Sequence, residues 1–155
     1  MKTILFACLL AASACDSTVA PTATIKTATP DRLVLADDTL DDLVITVEYD
    51  DGDGDLGGGV AQVYDCRAEG LRTDLPLPAI APAPVVDEGR PITGTLELHV
   101  NDVGELAAAA APDACRDLGV GDVGANAAVF CVVLVDAAGH EGAGDCTHEI
   151  ALASE

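Results

Sequence analysis

The sequence predicts an all-β domain, an immunoglobulin/fibronectin-like β-sandwich of about seven strands with one short helical crossing. Three observations carry this. Apolar and polar residues alternate at period two in several short runs, as half-buried strands require. Stretches rich in Gly, Asp and Pro separate those runs. The only run of strong helix formers, the alanines after Leu106, is short and is expected to stop at Pro112, so no long helical period competes.

Taken in order, residues 16–29 are rich in Thr, Ala and Pro and read either as a tether or, over 22–29, as a first edge strand. A short apolar run, Leu33, Val34 and Leu35, follows Arg32. Leu43, Ile45, Val47 and Tyr49 then alternate with Val44, Thr46 and Glu48, a half-buried strand. Residues 60–66 form the return strand. Residues 71–91 hold Pro76, Pro78, Pro82, Pro84 and Pro91, which remove ladder donors, so a long surface connection rather than a strand is expected there. Leu96, Leu98 and Val100 face inward opposite Thr95, Glu97 and His99. Residues 127–135 are apolar on both faces, as in a central strand, and the D-A-A-G of residues 136–139 is a turn. Residues 146–152 supply the last strand.

The N-terminus carries Lys2, an apolar run from Ile4 to Ala12, and then Ala12-Ser13-Ala14-Cys15. This is a secretory signal layout, too short for a permanent membrane span. The small residues before Cys15 resemble a bacterial lipobox, which implies cleavage after Ala14 and lipid on Cys15. The expected organisation is a signal peptide at 1–14, a lipidated cysteine and tether at 15–30, and the sandwich domain at 31–155. The expected location is the bacterial cell envelope, lipid-anchored to a membrane and facing the periplasm or the cell surface.

Twenty-seven acidic residues against seven Lys and Arg give a formal charge of −20, and none of the acidic residues lies in the signal segment. Such a field repels nucleic acid, so the partners expected are cations, basic surfaces or neutral ligands, and the membrane through its lipid anchor. The 50% hydrophobic fraction argues for a folded domain, although much of it is alanine.

Between two of the strands lies Y-D-D-G-D-G-D-L-G-G-G-V, residues 49–60, which concentrates Asp50, Asp51, Asp53 and Asp55. Hard cations take clustered oxygen ligands, and Ca²⁺ is the first candidate. Asp51, Asp53 and Asp55 match the first three ligand positions of an EF-hand loop; the match then fails at Leu56, where glycine is needed, and at Gln62, where a bidentate glutamate is needed. The expectation is therefore a looser Ca²⁺ site. If the strands around Ile45, Val63 and Cys131 are B, C and F, the B–C and F–G loops share one pole, and Asp136, Glu141 and Asp145 approach the Asp-Gly loop. The expected metal ligands are Asp50, Asp51, Asp53, Asp55 and Asp145. The bland alternative is a hairpin loop whose Asp and Gly serve turn geometry alone.

Four cysteines remain beyond Cys15, and Cys66, Cys115, Cys131 and Cys146 allow three pairings. The strand assignment favours Cys66 with Cys115, at the pole opposite the acidic loop, and Cys131 with Cys146 across a tight hairpin. Cys66 with Cys131 is the main rival.

D-D-G-D-G-D-L-G-G-G after an alternating strand, with V-L-V-D-A-A-G-H near the C-terminus, resembles uncharacterised bacterial lipoproteins carrying an immunoglobulin-like domain. The resemblance covers residues 40–66 and 128–142, and it implies location and fold rather than chemistry. Beyond the N-terminal segment, serine occurs only at Ser17 and Ser154, neither held beside a base, so no enzyme is expected. The chain lacks tryptophan, which disfavours sugar stacking. A non-enzymatic binding or structural module with an unidentified protein or envelope partner is the primary expectation. The alternative is a periplasmic metal-handling protein using His140, His148 and the Asp-rich loop for zinc or copper.

Overall fold

The computed structural model describes residues 19–35, 42–67, 71–80, 90–101, 103 and 111–154. The signal segment, Cys15 and the alanine run at 106–110 lie outside the described residues.

One layer contains β1 (Thr22–Thr29), β3 (Leu43–Asp51) and β6 (Ile92–Val100), in the order β1-β3-β6. Both pairings are antiparallel, with Ile45 opposite Ala28 on one side and Leu98 on the other. Facing it, β4 (Val60–Asp65) pairs with β5 (Arg72–Pro76) and with β8 (Phe130–Val135), which pairs with β9 (Asp145–Cys146) in the order β5-β4-β8-β9. A smaller sheet joins β2 (Arg32–Leu35), β10 (Ile150–Ser154) and β7 (Ala127–Ala128). Only Val129 separates β7 from β8. Across the matching break after β9, Thr147 N–H donates to Phe130 O (2.9 Å) and Phe130 N–H donates to Thr147 Oγ1 (3.1 Å). The strand pair therefore runs on through the interruption. The orders correspond to A-B-E and C′-C-F-G of an immunoglobulin-like sandwich, with β2 lying parallel to the final strand.

Alternation along β3 buries Leu43, Ile45, Val47 and Tyr49 against Phe130, Val132 and Leu134 of β8 in a single apolar core. β8 is buried on both faces, as its continuous apolar run predicts. At the far pole, Cys66, Cys115 and Cys131 pack with Ala111, Val123 and Val129. The disulfides are Cys66–Cys115 and Cys131–Cys146, as the strand assignment favours. The rival pair is close but unbonded, with Cys66 Sγ 3.4 Å from Cys131 Sγ.

One open reading is decided, and three elements differ from the expectations. Of the two readings of residues 22–29, the strand is the one found, so the fold begins well before residue 31. Residues 71–91 do contain a strand, β5, whose backbone pairs with β4 from Arg72 as far as Pro76, the proline standing at the strand end where a missing donor does least harm. The helix α1 (Asp113–Asp117) starts just after Pro112, where none was expected; the helical crossing expected before Pro112 falls on residues outside the described ones. Pro112 keeps extended backbone (φ −61, ψ 156) at the N-cap, and its carbonyl accepts the Arg116 N–H at 3.0 Å. Proline is well suited to a helix start, where its absent N–H costs nothing. The last strand is split into β9 and β10 by residues 147–149.

Candidate metal centre

The alternation that builds β3 also decides which aspartates meet. Asp51 continues the inward series of Ile45, Val47 and Tyr49 and is fully buried, whereas Asp50 points to the exposed face. Asp50 thus stands apart from its neighbours, its carbonyl accepting the Thr22 hydroxyl at 3.4 Å. Beyond Asp51 the chain turns through Gly54 at φ +83, a conformation that L side chains rarely adopt. A β-carbon at Gly54 would also lie 2.5 Å from the Arg90 carbonyl oxygen. Leu56 then returns to the core, fully buried, and its N–H donates to Asp51 Oδ2 at 2.8 Å.

This turn brings Asp51, Asp53 and Asp55 together, each offering one carboxylate oxygen within 4.8 Å of the others. Ligands around one Ca²⁺ at about 2.3–2.6 Å stand at most about 5 Å apart, so the three oxygens fit a shared ion. The Oδ1 atoms of all three are buried and receive no hydrogen bond. A buried carboxylate oxygen without a donor is costly, and a cation is the group that satisfies several at once.

The F–G loop supplies a fourth buried carboxylate. Asp136, 3% exposed, accepts His140 N–H on Oδ1 (2.8 Å) and faces His140 Nδ1 with Oδ2 (2.9 Å). Both its oxygens are engaged, so Asp136 adds negative field rather than a free ligand. Ala137 N–H donates to the Asp55 carbonyl at 3.1 Å, which ties the two loops together.

The electrostatics follow from this crowding. Burial raises the Asp51 carboxyl above its ordinary value against the pull of the Leu56 N–H, and the Asp53 and Asp136 charges add to the rise. Asp55 is pushed up to about 6, first by burial, then by its hydrogen bond with Asp53 and by the charges of Asp136, Asp53 and Asp51. Burial acts to raise Asp53 too, but the Val19 N–H and the carboxyls of Asp55 and Asp51 outweigh it, and Asp53 falls below its ordinary value. At neutral pH the cluster holds charge against strong mutual repulsion.

Asp145 does not join the cluster. Its Oδ2 accepts Ile25 N–H at 2.8 Å, where the β1 register shifts, and its Oδ1 accepts Cys146 N–H at 2.9 Å. Glu141 is exposed and bridges to Val135 through its backbone. Among the described residues, no group of metal-ligating atoms includes His140 or His148. The other such group, Cys66, Cys115 and Cys131, is taken up by disulfides. One contributor was not legible in the sequence: Val19, which lies in the Thr/Ala/Pro stretch and donates its N–H to Asp53 Oδ2 at 3.3 Å. Away from the site, at the far pole, the buried ion pair of Arg67 with Asp65 was not legible either. For Arg67 the available signal was an Asp two residues earlier at a strand end. No family model, no curated protein and no solved structure matches the chain.

Proposed function

We propose that this chain is a lipid-anchored, non-enzymatic protein of the bacterial cell envelope whose immunoglobulin-like domain is a binding or structural module stabilised by Ca²⁺. Asp51, Asp53 and Asp55 are the ligands, from a loop backed by Asp136. The observation that carries the metal assignment is that Asp51, Asp53 and Asp55 each bring a carboxylate oxygen within 4.8 Å of the others and each keep a buried Oδ1 that receives no hydrogen bond. An all-oxygen donor set suits a hard cation, with the remaining positions left to carbonyls or water. The anchor rests on the signal layout and on Cys15, which lies four residues before Val19. At most about 14 Å of extended chain separates them. Lipid on Cys15 would hold the acidic pole near the membrane surface.

Calorimetric titration of the full chain with Ca²⁺ and with Mg²⁺ tests the metal assignment. Ca²⁺ binding in the millimolar range typical of extracellular modules, lost in Asp53→Ala, is expected. Binding of zinc or copper that disappears in His140→Ala, with no response to Ca²⁺, would favour the metal-handling alternative.

A further inference from the structure

Residues 19–21 are more than a lead into β1. Val19 crosses the B–C loop, where a β-carbon at Gly52 would sit 2.4 Å from Val19 Cγ1. Pro21 crosses the F–G loop, where a β-carbon at Gly142 would sit 1.6 Å from the Pro21 carbonyl oxygen. Ala23 N–H then donates to the Ala143 carbonyl at 3.0 Å, and Thr22 and Ala143 form a parallel bridge. The segment is thus a strap laid over the same two loops that build the acidic cluster. Val19 itself is 48% exposed, so its backbone amide, not burial, holds it to the loop.

That amide donates to Asp53 Oδ2 at 3.3 Å, while Asp53 Oδ1 is buried and without a donor. One carboxylate therefore serves both sides. A hydrogen bond on one oxygen fixes the rotation of the group and leaves the other oxygen open to an ion, as outer groups do for metal ligands generally. We propose that the strap is a working part of the cation site, in which the Val19 amide positions Asp53, so that cation binding and docking of the N-terminal segment are linked. The inference rests on the cation reading above. Linkage is reciprocal: the docked strap strengthens cation binding, and the cation strengthens docking by the same factor. A fall in cation concentration would then loosen the segment through which the domain is joined to its anchor.

The test compares Val19→Pro, which removes the donor, with Val19→Ala, which keeps it, both in the full chain. Calorimetry should show the Ca²⁺ dissociation constant rising roughly 3- to 10-fold in Val19→Pro, as loss of a hydrogen bond to a partly solvated carboxylate implies, and unchanged in Val19→Ala. Independently of any variant, hydrogen exchange of the unmodified chain should slow over residues 19–25 when Ca²⁺ replaces EDTA, by more than it slows in β6. Wild-type affinity in Val19→Pro overturns the linkage. So does exchange over residues 19–25 that stays the same or quickens with Ca²⁺, the result expected if the ion took both Asp53 oxygens and displaced the strap. An unmodified chain that binds no Ca²⁺ overturns the underlying cation reading instead, and shows itself as silence in all three proteins.

Discussion

Leu56 donates its backbone N–H to Asp51 Oδ2 at 2.8 Å while its side chain is fully buried in the sandwich core. This is the position at which the EF-hand pattern fails, since glycine belongs there. The leucine instead anchors the loop in the core and presents its N–H to one oxygen of Asp51, leaving the other buried without a donor. Leu56→Ala keeps the N–H and empties the space. It should lower stability by about 2–4 kcal/mol in urea unfolding with EDTA present.

The cation-free domain should respond to pH through this cluster. Asp51 and Asp55 both have folded-state values above 3.8, that of Asp55 reaching about 6, so the folded chain retains protons that the unfolded chain releases. The stability they contribute is present below their ordinary value and is lost as pH rises toward about 6. Asp53, whose value is lowered, acts in the opposite sense, and only as pH falls below its ordinary value. In EDTA the thermal midpoint should therefore be higher at pH 5 than at pH 7.5. Asp55→Asn should shrink that difference. Saturating Ca²⁺ should reverse its sign, because protons then compete with the ion.

How far the sequence could be read depended on the range of the interactions involved. The period-two run from Leu43 to Tyr49 and the apolar run around Val132 gave their strands directly, because burial is written into alternation. The B–C and F–G pairing brought Asp136 to the Asp-Gly loop as expected. It did not bring Asp145, whose carboxylate is held by the Ile25 and Cys146 amides, nor Asp50, which the same alternation turns outward. The pairing of β1 and the Val19 strap depend on backbone contacts with distant segments. A Thr/Ala/Pro composition carries no trace of those contacts.

The two disulfides should differ in weight. Cys66–Cys115 spans 49 residues and Cys131–Cys146 spans 15. Loop-closure entropy gives about 4 kcal/mol for the longer and about 3 kcal/mol for the shorter. Paired serine substitutions, Cys66→Ser with Cys115→Ser and Cys131→Ser with Cys146→Ser, followed by urea unfolding, should rank in that order.

Arg67 is fully buried at the far pole, paired with Asp65 at 2.7 Å, bonded to the Val103 carbonyl and 5.7 Å from the centroid of the Phe130 ring. Removing one partner of a buried pair leaves the other charge uncompensated. Arg67→Ala should cost about 3–5 kcal/mol. Ca²⁺ affinity, set at the opposite pole, should stay within twofold of wild type by calorimetry.

The most direct measurement is thermal unfolding of the full chain in EDTA and in Ca²⁺, with Mg²⁺ at equal ionic strength as the control. Ca²⁺ at ten times its dissociation constant contributes about 1.4 kcal/mol. For a domain of this size that is a rise of roughly 5 °C, expected with Ca²⁺ and absent in Asp53→Ala. A midpoint that does not move at saturating Ca²⁺ would contradict a cation at Asp51, Asp53 and Asp55.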